Sequence, residues 1–405
     1  MSEGFSGWNE KHRSTSAILD ETLREGLQAP DAHDPEAHEK CEILSGVDSV
    51  GVEAASIGFP ASSPRARQDA LILLKHHREQ ALRVIPLAAA RTLENDITIV
   101  ADLVQRSGVA VEVYTFVGAS GHRRAAEGWE LGAVGQRIEQ AGDRCRREGL
   151  RWTLVTEDTS RTEARDLEFL FDTAWEAGAS RLCLCDTAGY AAPSGTRALI
   201  AWTQRWRSER AARLELDWHG HNDRGLALAN ALVARDMSVE RVHATVLGLG
   251  ERAGNTPLEQ LLLNAALDGL DDGALDGLAR LCHRVSSAFR LPISPSAPVS
   301  GSGVHRTSSG VHAAAITKAL ASGDHQLADR VYSAVPAAWL GRTQEIALGH
   351  LSGTANVRHW LNQRGLEPRP ERIDGLLDAI KQERRTLSDH EIWRVLDRID
   401  AGNDP

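Results

Sequence analysis

No CxxC pair occurs among the five cysteines, and their number is odd. A disulfide framework is therefore not expected, and a reducing compartment is. No apolar run approaches the ~18 residues that a membrane-crossing helix needs. The stretch from Met1 to Arg13 is polar and charged, without the apolar segment of a secretory leader. The expectation is a cytoplasmic protein. An excess of positive charge is missing too, with 46 Lys and Arg against 56 Asp and Glu and a formal charge of −10. That balance argues against nucleic acid or an anionic membrane as partner, while leaving room for a few local arginines around an anionic substrate. A Gly-rich dinucleotide fingerprint after the first strand is also absent.

What the chain does have is alternation. Short apolar or β-branched runs at 17–20, 47–56, 84–90, 109–117, 151–157, 181–186, 214–219 and 241–248 read as strands. Amphipathic stretches at 65–80, 93–107, 129–148, 163–177, 193–210, 224–235 and 257–269 read as helices, with Gly108, Gly149 and Gly178 as punctuation. Eight strands alternating with helices predict an α/β fold, a (β/α)₈ barrel, over 16–290 after an N-terminal extension at 1–15. A doubly wound open sheet is the alternative. The Pro- and Ser-rich segment 291–308 reads as a linker. Residues 309–405 form a helical appendage with helices near 311–322, 324–332, 354–364 and 371–396 and no strand alternation. Cys183 and Cys185 alternate with leucines and are expected to be buried strand positions.

Polar chemistry gathers where such a barrel keeps its active site, at the C-terminal strand ends. Strand one runs into Asp20-Glu21-Thr22-Leu23-Arg24-Glu25-Gly26-Leu27-Gln28, strand five into Glu157-Asp158-Thr159-Ser160-Arg161-Thr162, and strand six into Asp186-Thr187-Ala188-Gly189. Strand seven carries His219 and His221, whose i, i+2 spacing puts both imidazoles on one face and makes a half-site for a divalent cation. Strand eight leads to Gly250-Glu251-Arg252-Ala253-Gly254-Asn255.

In this order the motifs DETLREG, EDTSRT, CDTAG, HGHND and GLGERAGN resemble the DRE-type metal-dependent barrel enzymes, which include 2-isopropylmalate synthase and homocitrate synthase. The similarity continues through Ser309-Gly310-Val311-His312, the stretch 331–342 and His350-Leu351-Ser352-Gly353, so it spans Leu19 to about Leu361. The resemblance implies that Glu25, His219 and His221 hold a divalent cation (Mn²⁺, Mg²⁺, Zn²⁺ or Co²⁺), with Asn255 as a further contact. It implies a Claisen-type condensation of acetyl-CoA, as co-substrate, with a 2-oxo acid, followed by thioester hydrolysis. Arg24 would stabilise the new alkoxide, Thr187 would bind the oxo acid's carboxylate, and Glu157 would join the catalytic groups. His312, with Tyr332, would take the α-proton, since a histidine accepts a proton at neutral pH. In the family the appendage of one subunit often completes the partner's barrel, which implies a homodimer.

Substrate-pocket positions depart from the pattern. Ser56 stands before the Gly58-Phe59-Pro60 turn where relatives carry an acid, with Glu53 earlier on the same run, and Tyr114 replaces a histidine. Thr307 occupies the place of a second histidine, while the nearby His305 is out of register. Ser56, Tyr114, Gln28 and Arg161 are taken as substrate-binding, Arg161 as a clamp for a distal carboxylate. Gly121-His122-Arg123-Arg124 reads either as a grip for a phosphonate or the CoA phosphates, or as a solvated helix start. A specialised synthase of secondary metabolism, acting on a phosphonate-bearing or other unusual oxo acid, is one alternative. A hydroxyacyl-CoA lyase and an inactive barrel serving as a binding protein are the others. The helical appendage is not expected to include a further α/β regulatory domain, nor is leucine feedback through one.

Overall fold

The computed structural model describes residues 14–268 and 275–402. Most of the N-terminal extension thus lies outside the described residues. The chain forms two compact units, the first running to Ile293 and the second beginning its main span at Ser294.

The first unit is a closed parallel barrel, a (β/α)₈ fold, in which each strand pairs with the next and the eighth returns to the first. Its elements are β1 (Ala17–Asp20), α1 (Ala37–Ser49), β2 (Ala54–Ser56), α2 (Pro64–Glu79), β3 (Ile85–Arg91) and α3 (Glu94–Ser107). Next come β4 (Glu112–Gly118), α4 (Gly121–Glu127), α5 (Leu131–Glu148), β5 (Trp152–Glu157), α6 (Ala164–Glu176) and β6 (Arg181–Asp186). The circuit closes with α7 (Pro193–Glu209), β7 (Glu215–Gly220), α8 (Ala227–Asp236), β8 (Arg241–Ala244), α9 (Leu258–Leu267) and α10 (Asp276–Phe289). The helices follow from their apolar stripes. In α5, Val134, Ile138, Ala141 and Cys145 fall on the buried face, and the helix stops at Gly149 in the left-handed conformation.

Two sequence expectations change here. Residues 47–56 are not one strand: Val47 and Ser49 end α1, and only Ala54–Ser56 pairs with its neighbours. The alternating run resembled a strand, but a capping box between Glu36 and Glu39 starts a helix whose Cys41, Ile43, Leu44 and Val47 are buried. The barrel floor is also more ionic than eight apolar strands suggested. Arg241 is 1% exposed and donates to Glu53, Glu112 and the Tyr114 hydroxyl. Arg181 donates to Asp217 at 2.7 Å and also reaches Glu215. These groups occupy the strand starts, beneath the polar rim. Cys183 and Cys185 are buried on β6, as expected.

The second unit has its own apolar cluster, built around Leu348, Trp360, Leu376, Ile392 and Leu396. It contains β9 (Arg306–Thr307), α11 (Gly310–Ala321), α12 (His325–Arg330), β10 (Glu345–Ile346), α13 (Thr354–Gln363), α14 (Pro370–Gln382) and α15 (Asp389–Ala401). The β9–β10 pair is a two-stranded parallel sheet that the sequence did not announce, and β9 falls inside the segment read as linker. The helix expected at 371–396 is two, separated at Ser388, whose side chain and Glu391 make a new capping box. Among the described residues no helix is long and apolar enough to cross a membrane.

Candidate active site

Glu25, His219 and His221 converge on one point at the C-terminal end of the barrel. His219 Nε2 and His221 Nε2 are 3.4 Å apart and stand 3.8 and 3.9 Å from the two Glu25 carboxylate oxygens. Glu25 is brought there by the turn after β1. Thr22 folds that turn by donating its hydroxyl to Asp20 at 2.6 Å and accepting the Val246 N–H at 2.8 Å. His219 is the penultimate residue of β7, and His221 follows its last residue, at an isolated bridge to Asn255.

Electrostatics keep both imidazoles neutral. Burial, with the neighbouring His221 and His243, holds His219 well below the usual histidine range. Burial, with Arg252, brings His221 down to about 4. Lone pairs are therefore available at neutral pH. Asn255 Oδ1 and His221 Nδ1 are buried without hydrogen-bond partners. The Asn255 amide lies 3.4 Å from His219 Nε2, in a space that a Cβ on Gly250 would fill. One carboxylate, two neutral imidazoles and an orphaned amide oxygen are a donor set that fits a divalent cation.

Arg24 lies beside this cluster, in contact with Glu25 and 3.5 Å from Glu21. A cavity of about 190 Å³ opens next to them and is lined by Arg24, Glu25, Gln28, Ser56, Tyr114, Glu157, Thr187, His219 and His221. Nine of the residues singled out in the sequence thus share one cavity. Its remaining wall is mainly apolar, with Phe59, Leu87, Ala89, Phe116 and Val155. Burial raises the Glu157 carboxyl, with Arg123 and Arg24 working against that shift.

Some residues stand elsewhere. Arg161 does not line the cavity: its guanidinium donates two bonds of 2.7 Å to Asp158, whose own N–H donates to the Thr187 hydroxyl at 2.8 Å. A clamp for a distal carboxylate is thereby occupied by an internal one. Tyr114 lines the cavity but commits its hydroxyl to Asp217, at 2.5 Å. Arg124 pairs with Asp166, so the 121–124 stretch is the start of α4 with its arginines engaged. His312 and Tyr332 lie together in the second unit, rings stacked at 3.9 Å.

His243 is the group that sequence reasoning passed over. It sits on β8 between Asp217 at 3.0 Å and Glu21 at 3.2 Å, and these two hydrogen bonds outweigh burial and raise its pKa. Glu21, His219 and His243 form a second cluster of donor atoms, which shares His219 with the first. The available signal was the i, i+2 pair Arg241 and His243, polar residues on the inner face of an otherwise apolar strand.

Comparison with known proteins agrees with this architecture. The HMGL-like family model matches residues 15–280. The protein belongs to the HMGL-like family. Among its relatives, homocitrate synthase AksA of Methanopyrus kandleri is 32% identical over 368 residues, covering 90% of this chain and 86% of that protein. Homocitrate synthase of Saccharolobus solfataricus is 31% identical over 369 residues, with 90% and 75% covered. Solved HMGL-like barrels share the fold. Hydroxymethylglutaryl-CoA lyase from Pseudomonas aeruginosa has a TM-score of 0.55 at 20% identity, over 69% of this chain and 94% of that one. The HMG-CoA lyase from Brucella melitensis has a TM-score of 0.56 at 17% identity, over 68% and 99%.

Proposed function

We propose that this HMGL-like protein is an acyltransferase of the alkylmalate-synthase type, joining acetyl-CoA to a 2-oxo acid and releasing CoA. The convergence of Glu25, His219 and His221 beside Arg24, in one cavity with Glu157 and Thr187, carries the reading. A divalent cation bound there, with Mn²⁺ as the first candidate, supplies Lewis-acid polarisation of the keto group.

The chain's own residues do the rest. Thr187, whose hydroxyl oxygen accepts the Asp158 N–H, is assigned to donate its hydroxyl proton to the oxo acid's carboxylate. The α-proton of the acetyl group passes to a base, for which His312, stacked on Tyr332 and delivered by the helical unit in a homodimer, is the assignment. The acetyl carbon then bonds to C2 of the oxo acid, and the C2–oxygen double bond opens to an alkoxide. Arg24, in contact with Glu25, is assigned to stabilise that charge. Glu157, a cavity-lining carboxyl that burial raises, is assigned to exchange a proton there. Water then cleaves the thioester to a carboxylic acid and CoA thiol, which makes the sequence irreversible.

Cleavage of a hydroxyacyl-CoA is the competing direction. The lyase structures cover about two thirds of this chain and nearly all of their own length, whereas the synthases extend over 90% of it. That difference favours condensation. Thiol release from acetyl-CoA, measured against a panel of 2-oxo acids with and without a chelator, tests the proposal. Release that needs both oxo acid and metal supports it, and the preferred acid decides between a leucine- or lysine-type acceptor and a specialised one. Metal-bound protein that is silent across the panel but cleaves a hydroxyacyl-CoA would refute it.

A further inference from the structure

Arg123 reaches Glu157 by a route that the local backbone is shaped to permit. Gly118 ends β4 directly opposite Glu157 in the β4–β5 register. A Cβ on Gly118 would overlap the Cγ of Arg123, so only glycine lets that side chain lie across the strand end. Ser120 fixes the start of the path, since its hydroxyl accepts the Arg123 N–H at 3.1 Å and caps α4. The guanidinium then stands 3.6 Å from Glu157 Oε2 and 3.0 Å from Glu127, above the face of Trp129 at 5.8 Å. Arg123 is the one arginine or lysine within ion-pair distance of Glu157 among the described residues.

We infer that Arg123 is a positioning residue for Glu157, pairing with its carboxylate and holding it at the cavity wall. The inference rests on the reading of Glu157 as a catalytic carboxylate. Glu127 steadies the guanidinium from the solvent side, and Trp129 limits its swing. The charged groups facing Glu157 are Arg123 and Arg24, which favour ionisation, and Asp158 and Glu127, which oppose it. Burial already pushes this carboxyl upward, so losing Arg123 moves it further in the same direction. Arg124, its chain neighbour, is tied to Asp166 and takes no part.

The test uses three variants of the full chain: Arg123→Leu, Arg123→Lys and Gly118→Ala. Protein labelled with ¹³C at glutamate carboxyls reports the Glu157 titration directly, with Glu157→Gln assigning the signal. Arg123→Leu is expected to shift that titration to higher pH, and kcat to fall several-fold on the acid side of neutrality with little loss on the alkaline side. Arg123→Lys restores much of both. Gly118→Ala, which keeps the arginine but displaces it, is expected to copy Arg123→Leu. Unchanged Glu157 titration in both Arg123→Leu and Gly118→Ala, each still folded by circular dichroism, would overturn the inference. Should Glu157→Gln keep full activity, the catalytic reading of Glu157 fails by itself, while the carboxyl titration still decides the pairing.

Discussion

His219 and His243 face each other through their Nδ1 atoms at 3.3 Å, yet their charge preferences are opposite. His243 lies between Glu21 and Asp217, which favour its protonated form, while His219 is held neutral with Nε2 turned to Glu25 and His221. Asp217 itself is brought down to about 2, because hydrogen bonding to His243 and the charge of Arg181 outweigh burial. The floor of the barrel thus anchors a histidine that in turn packs against a metal-binding candidate.

Replacing His243 with Leu leaves Glu21 without one partner and Asp217 without another, both in the barrel interior. Removing one member of a buried charged pair costs about 3–5 kcal/mol. Support of this kind around a ligand is worth roughly 10- to 100-fold in metal affinity. His243→Leu is expected to show both losses, by thermal denaturation and by titration with a buffered metal. Wild-type metal affinity in the folded variant would contradict the anchoring role.

Glu259 is buried, and burial lifts its carboxyl to about 7, even though it accepts the Leu247 N–H at 2.9 Å. Leu247 is in the left-handed region, with φ of 59°, so this contact holds a strained turn of the strand-eight loop. The folded state binds the proton more tightly than the unfolded chain, so the Glu259 contribution falls as pH rises from the ordinary glutamate range through about 7. Glu259→Gln removes that dependence. The difference in Tm between variant and wild type is expected to move in favour of the variant as pH rises across that window, and a constant difference would argue against it.

Arg161 is spent on Asp158, at two bonds of 2.7 Å. Its removal is expected to loosen the loop that presents Thr187, and so to raise KM for monocarboxylic and dicarboxylic 2-oxo acids alike. Steady-state kinetics of Arg161→Gln with both kinds of acceptor check this. A loss confined to dicarboxylic acceptors would place Arg161 on the substrate after all.

The barrel and the converging rim were legible in the sequence because strand alternation and strand-end motifs are local patterns. Glu25, His219 and His221 followed from spacing and resemblance. The ionic floor was not legible, because Arg181, Asp217, Arg241 and Glu112 lie on different strands and meet only through barrel closure. The same holds for Arg161, whose reach into a pocket depends on whether Asp158, three residues away, captures it first. The end of helix α1 was hidden by Val47, Val50 and Val52, which read with the following residues as one strand, and a capping interaction at Glu36 overrides that reading.

Formation of a new carbon–carbon bond is the most direct measurement. Acetyl-CoA labelled with ¹³C at its methyl carbon is incubated with the metal-loaded protein and a preferred 2-oxo acid, and the products are read by NMR. The label is expected in a methylene group attached to a carbinol carbon, appearing only with metal and lost in Glu25→Gln. Labelled acetate alone, with CoA released but no methylene formed, would contradict a condensing enzyme.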